Sequence, residues 1–236
     1  MLIYGYHPVR EALLHRPQSI DRVLVARRRS DPKRQEIEHL CRRYEVDLVS
    51  TSSEELSKIT AGVHNGLVAE VREEPAPSVP ANADPGLVVL LEDVQDPRNL
   101  GALLRVCEGT GVGRVLIRDR GSAPISPAVS KAAAGAAEWL AIERVTNSFN
   151  SLEELKQDGF WIYGAVAGGE APWEIDLSGK VVVCLGGEEK GLRDRTRKAC
   201  DGLIGLPMRG HVESLNVATA AAAILYEVVR QRGVNR

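Results

Sequence analysis

Five short apolar runs recur along the last two-thirds of the chain: LVVLLE from Leu87, RVLIR from Arg114, FWIYGAVA from Phe160, VVVCL from Val181 and GLIGL from Gly202. Each is too short to be a buried helix, and each is rich in branched or aromatic residues, so each reads as a strand. The longer segments between them read as helices, starting near Asn99, Ser126, Ser151, Leu192 and Ser214. Parallel strands need a crossover, commonly a helix, and those helices must cover the sheet, so this alternation predicts an α/β domain with a parallel sheet and helices on both faces.

Between Glu73 and Gly86 the chain reads EEPAPSVPANADPG, a composition that favours extended linker. It divides the chain into residues 1–72, a linker at 73–86 and a larger domain at 87–236. In the first part, Val9 to Leu14 and Lys33 to Tyr44 look helical, while DRVLVA, VDLVS and GLVAEV look like strands, giving a small α/β unit. The net charge of −2 exerts no overall pull on nucleic acid or anionic lipid, but an average can hide a patch. ARRRSDPKRQEIEHLCRRYE is such a stretch, with Arg27, Arg28, Arg29, Lys33 and Arg34 as candidate phosphate contacts interleaved with Asp31, Glu36 and Glu38. An ordinary solvated helix face explains the same residues.

The four cysteines, Cys41, Cys107, Cys184 and Cys200, show no CxxC spacing and no histidine cluster, so no metal is expected and free thiols are. MLIYGYHPVREALL lacks the basic start and apolar run of a signal peptide, and no stretch reaches the roughly 20 apolar residues of a membrane helix. No membrane partner is expected, and the expected compartment is the cytoplasm.

Ligands of parallel α/β folds gather beyond the carboxyl ends of strands. Three loops there are chemically loaded. In LEDVQDPRNLGALLRVCEGTGV, Asp93, Asp96, Arg98 and Asn99 precede a helix that carries Arg105. Asn99 is positioned to cap it, and Arg105, nearly two turns on, is expected on a similar face; a capped helix with a solvated arginine is the plainer reading. In LGGEEKGLRDRTRKAC, Gly186, Gly187 and Gly191 permit close backbone approach, but Leu192 stands where a Walker motif needs lysine. The only dinucleotide-type run, GTGVGR, precedes a strand instead of following one. In LPMRGHVESLNVATAAAAILYEVVRQR, His211, Glu213, Ser214 and Asn216 crowd the start of an alanine-rich helix. Ser214 has no G-x-S-x-G elbow to make it a hydrolase nucleophile, and Ser214 and Asn216 also suit helix caps.

Taken in order, N-x5-R from Asn99 to Arg105, GGEEKGL from Gly186 and LPMRGHVESLNV from Leu206 resemble the three motifs of the SpoU/TrmH family of RNA 2′-O-ribose methyltransferases. IYGYHPVREALL and HNGLVAEV resemble the small RNA-binding domain of the branch that modifies a guanosine of large-subunit ribosomal RNA. The resemblance implies a SPOUT-type parallel sheet with a C-terminal trefoil knot, preceded by a small α/β domain like ribosomal protein L30e. It implies S-adenosylmethionine as cofactor, RNA as partner and a homodimer. Carried over, Gly186, Gly187, Gly191, Leu206, Met208, Ser214, Leu215 and Asn216 would hold the cofactor, and Arg105, Asn99, Glu188, Ser214 and Asn216 would serve catalysis. A transfer RNA enzyme of the same family, and an RNA-binding assembly factor with a vestigial site, remain the alternatives.

Overall fold

The structure, a computed structural model, describes residues 1–27, 31–60, 64–72, 79–80, 82–188 and 190–233. Two sheets form. The first contains β1 (Leu2–Tyr4), β2 (Ile20–Ala26), β3 (Leu48–Thr51) and β4 (Leu67–Val71), in the spatial order β1-β4-β2-β3. Its pairings are antiparallel except β2 with β3. Helices α1 (Tyr6–His15), α2 (Pro32–Arg43) and α3 (Ser53–Ile59) accompany it. β1 and α3 escape a reading of apolar runs, being short, although Ser52 and Glu55 form the capping box that starts α3. Asp31 caps α2 through the Arg34 amide, with Pro32 at the first helical position.

The second sheet is parallel throughout, in the order β10-β8-β9-β5-β6-β7. Its strands are β5 (Asp84–Leu91), β6 (Val112–Arg118), β7 (Ile142–Val145), β8 (Trp161–Glu170), β9 (Val181–Leu185) and β10 (Gly202–Ile204). Between them lie α4 (Pro97–Gly109), α5 (Pro127–Ala132), α6 (Ser148–Gln157) and α7 (Asp194–Ala199), and α8 (Val217–Arg232) follows β10. β7 carries only the run IERV, too polar to be picked out by hydropathy. β5 starts at Asp84, so the last three residues of the expected linker are already strand.

The alternation of strand residues explains both covered faces. Leu87, Val89 and Leu91 pack with Leu100, Leu103, Leu104, Ile224 and Leu225 under α4 and α8. Val88 and Leu90 point the other way, toward Leu152 and Leu155 of α6 and Ala199 of α7. Burying each such leucine is worth about 2 kcal/mol, which commits β5 and β9 to the centre of the sheet. α4 also lies so close to α5 that a Cβ on Gly101 would sit 2.4 Å from the Ala132 Cβ, a contact that only glycine permits.

The two sheets meet through α1. Arg16 donates from Nε to Glu138 Oε2 at 2.6 Å, and the Glu138 side chain is only 2% exposed. Burial pushes the Glu138 carboxyl above its ordinary value, an effect that Arg16 opposes. Beside it, Trp139 donates from Nε1 to Glu11 Oε2 at 3.0 Å and its ring lies 4.4 Å from that of His15. Among the described residues no helix is long and apolar enough to cross a membrane.

Candidate active site

The strand order brings the loops after β5, β9 and β10 to one end of the sheet, with β8 between β9 and β10. The loop after β9 is the tightest. Gly191 donates its amide to the Gly187 carbonyl at 2.9 Å and adopts φ 61, closing a turn. A Cβ on Gly186 would lie 2.1 Å from the Gly191 carbonyl carbon, and one on Gly187 would lie 2.5 Å from the Asp93 carbonyl oxygen. The glycines therefore serve the fold of this loop and its seat against the first loop.

Behind the turn lies a cavity of about 660 Å³, within the range of small-molecule sites. Gly186, Gly187, Gly191, Leu206, Met208, Ser214, Leu215 and Asn216 all line it, as does Glu188. Sequence reading missed part of the wall: Ala165, Val166 and Ala167 in the middle of β8, Ile224 of α8, and the charged Lys190 and Arg197. The β8 residues are small and apolar, and nothing in their pattern marks them as lining. The cavity pairs apolar faces from Leu206, Leu215 and Ile224 with glycine backbone and an open polar mouth, a donor and surface set that suits a nucleoside with a charged tail.

Asn99 and Asn216 join the loops. Asn216 caps α8, its Oδ1 accepting from the Ala218 amide at 2.9 Å and the Thr219 amide at 3.4 Å. Its Nδ2 donates to Asn99 Oδ1 at 3.0 Å, and Asn99 Nδ2 donates to Glu188. One relay thus runs from the helix terminus through the first loop to the second. Asn99 is not the cap of α4: Asp96 is, accepting from the Arg98 amide at 2.7 Å, because Pro97 at the first helical position fixes the start three residues earlier than an Asn99 cap would. Asn99, freed from capping, turns to the other loops.

Arg105 does not share that face. Six residues at about 100° each place it roughly 120° around α4 from Asn99. It is exposed, lies outside the cavity wall, and makes no hydrogen bond or ion pair among the described residues.

The remaining candidates are spread over the small sheet. Arg27 and Lys33 are exposed, Lys33 with its ammonium 5.1 Å from the Tyr6 ring centre. Arg34 is engaged internally, donating to Glu38 at 2.6 Å and to the Ala26 carbonyl at 2.9 Å, which makes it a strap between α2 and the end of β2. Arg28 and Arg29 lie outside the described residues.

Comparison with known proteins decides the family. The model of the SpoU rRNA methylase family matches residues 86–226, and that of the RNA 2′-O-ribose methyltransferase substrate-binding domain matches residues 2–77. The chain belongs to the SpoU methylase family. It is 38% identical to the 23S rRNA (guanosine-2′-O-)-methyltransferase RlmB of Pseudomonas putida, over 99% of this chain and 98% of that protein. The enzyme of the same name from Coxiella burnetii is 37% identical over 98% of this chain and 95% of its own length. Among solved structures, the SpoU methyltransferase AviRb of Streptomyces viridochromogenes, in complex with AdoMet, covers 100% of this chain and 91% of its own at 25% identity, with a TM-score of 0.83. In SpoU terms, motifs two and three of this chain build the cavity, and motif one contributes Asn99 to the relay while Arg105 stands outside. Among the described residues no group of three His, Cys, Asp or Glu is placed to hold a metal ion.

Proposed function

We propose that this SpoU methylase transfers a methyl group from S-adenosylmethionine to the 2′-hydroxyl of a guanosine in 23S ribosomal RNA. The observation that carries this reading is the cavity walled by two of its three motifs and tied to the first by the Glu188–Asn99–Asn216 relay. Likeness over nearly the whole chain to the RlmB enzymes supports the substrate. S-adenosylmethionine, when bound, supplies an electrophilic sulfonium methyl. Gly186, Gly187 and Gly191 would offer backbone to it, Leu206, Met208 and Leu215 apolar contact, and Ser214 and Asn216 hydrogen bonds.

Methyl transfer to an oxygen asks the protein mainly for orientation. Arg105, free on α4, is the group to hold the phosphate next to the target ribose. A guanidinium stays protonated in proteins, which makes it a poor base but a planar clamp for phosphate. Asn99 and Glu188 would fix the ribose side of the cavity mouth, and Asn216 the side nearest the cofactor. Ser214 would complete it.

The finer organisation belongs to the same reading. Residues 1–72 would form an RNA-binding domain like ribosomal protein L30e, residues 73–86 a linker and 87–236 the methyltransferase domain. Arg27 and Lys33 would meet RNA backbone. The segment from Leu206 to Asn216 runs along the Gly186 loop in one cavity wall before α8 packs on α4, which supports a trefoil knot. Ala223 and Tyr226 lie exposed on α8, the Tyr226 hydroxyl beside Gly109 of α4, a surface suited to a second copy of the chain. Four free thiols suit the cytoplasm.

The test is a deletion strain: a 2′-O-methyl mark on one 23S guanosine should vanish and return with the wild-type gene. A methylated ribose leaves a gap in an alkaline ladder, because its oxygen can no longer attack the neighbouring phosphate. An unaltered ladder across 23S RNA would remove the substrate assignment.

A further inference from the structure

Asp93 lies two residues beyond the end of β5 and takes no part in the relay or the cavity wall. We infer that its carboxylate is the positioning group that holds Gly187 and Arg193, the two ends of the turn after β9, in their binding arrangement, an inference resting on the reading of that turn as the S-adenosylmethionine site. Asp93 touches both ends of the loop. At the near end its carbonyl oxygen fills the space where a Cβ on Gly187 would stand. At the far end its Oδ2 accepts from Arg193 Nε at 2.8 Å and its Oδ1 from Arg193 Nη2 at 3.4 Å.

The same Oδ1 accepts from Arg118 Nη1 at 3.0 Å, anchoring the assembly to the end of β6. Only 16% of the Asp93 side chain is exposed, and only 14% of Arg118, so the Arg118 pair is better shielded than an ordinary surface bridge. The preceding residue works in the same direction. Glu92, fully buried, accepts from Thr196 Oγ1 at 2.8 Å and from the Arg193 amide at 3.4 Å, so the two acids grip both the main chain and the side chain of Arg193.

The backbone adds an independent observation. Asp93 has φ 54, a left-handed conformation that costs a residue other than glycine on the order of 1 kcal/mol and persists where surrounding contacts enforce it. Glycine would occupy the position without strain but would bring no carboxylate. What the strain retains is the bridge, and a loop held in shape before binding spends less of its contact energy on ordering.

Full-length Asp93→Gly and Asp93→Asn separate these roles, since glycine and asparagine both accept the backbone. Losing charge-assisted bonds to two arginines should weaken S-adenosylmethionine binding about thirtyfold in Asp93→Gly, by calorimetry, and about fivefold in Asp93→Asn, which keeps an oxygen acceptor. KM for the cofactor should rise in parallel while kcat at saturation stays within about threefold. The melting temperature without cofactor should move by only a few degrees, because relieved strain offsets lost bridges. Arg193→Gln should reproduce the rise, and the double variant should not exceed it. Wild-type affinity in both Asp93 variants overturns the inference, as does a fall in kcat at unchanged KM, or a cofactor-free Asp93→Gly protein that melts more than about ten degrees lower. A wild-type protein that binds no S-adenosylmethionine would instead overturn the site reading on which the inference stands.

Discussion

The cavity wall to which Gly186–Glu188, Lys190–Leu192, Leu206, Met208 and Glu213–Val217 contribute and the face of α4 that carries Arg105 belong to the same motif set, yet they are prepared to different degrees. In the wall, glycines pack backbone against backbone, Asn216 is fixed by a helix terminus, and Asn99 links it to Glu188. Arg105 has no such company. The half read as binding cofactor is organised before any ligand arrives. The half read as binding RNA presents a free cation whose partner must come with the substrate, so its contribution falls on turnover and the wall's falls on affinity.

The largest expected effect tests that division directly. Arg105→Ala should lower kcat/KM for RNA a hundredfold or more, about 3 kcal/mol, while calorimetry shows wild-type S-adenosylmethionine affinity. Arg105→Lys, which keeps charge but loses the planar fork, should recover only part of the rate. A matching loss of cofactor affinity in Arg105→Ala would erase the distinction between the halves. Next in size, Gly186→Ala forces a Cβ into the Gly191 backbone and should weaken cofactor binding about thirtyfold through overpacking of about 2 kcal/mol. Normal affinity there would mean that the loop is pliable and the wall not preformed.

Smaller again, Asn99→Ala cuts the relay at its middle and should cost about tenfold in turnover, one or two modest hydrogen bonds, with the Tm nearly unchanged because Asp96 keeps the cap of α4. A large drop in Tm would make Asn99 a scaffold residue. The smallest effect is graded: RNA affinity should decline steadily with salt as counterions are released, and Lys33→Ala should flatten the log–log slope by about one unit. An unchanged slope would exclude Lys33 from the RNA surface.

How far these features were legible in the sequence depends on the range of the interaction behind them. The parallel sheet follows from local apolar runs, and every cofactor residue expected from the motifs lines the cavity, because backbone-built pockets need glycine and turn chemistry in fixed order. Asn99 was expected to cap α4, although the Asp-Pro pair at 96–97 already marked the true start of the helix, and its bonds to Glu188 and Asn216 leave no local trace. Arg105 was expected beside Asn99, and the helical repeat itself puts it a third of a turn away. Arg34 looked like one more cation in a basic run, whereas its partners, Glu38 and the Ala26 carbonyl, come from the packing of α2 against β2. The grip of Glu92 and Asp93 on Arg193 spans about a hundred residues and leaves no periodic trace.

The pair formed by Arg16 and Glu138 bears on how such proteins can be recombined. The two residues come from the parts of the chain that carry the two different sheets, and their bond is buried on the Glu138 side. A chimera that grafts the first 72 residues of a relative onto this methylase would inherit Glu138 without its guanidinium wherever the donor lacks an arginine at the matching place. A carboxylate stranded in that way costs about 3 kcal/mol, a sizeable share of the 5–15 kcal/mol that keeps a typical domain folded. The halves of this enzyme are therefore expected to be exchanged as a matched set, with α1 and the turn at Ala136–Trp139 travelling together through gene fusion and drift, and not as freely interchangeable modules.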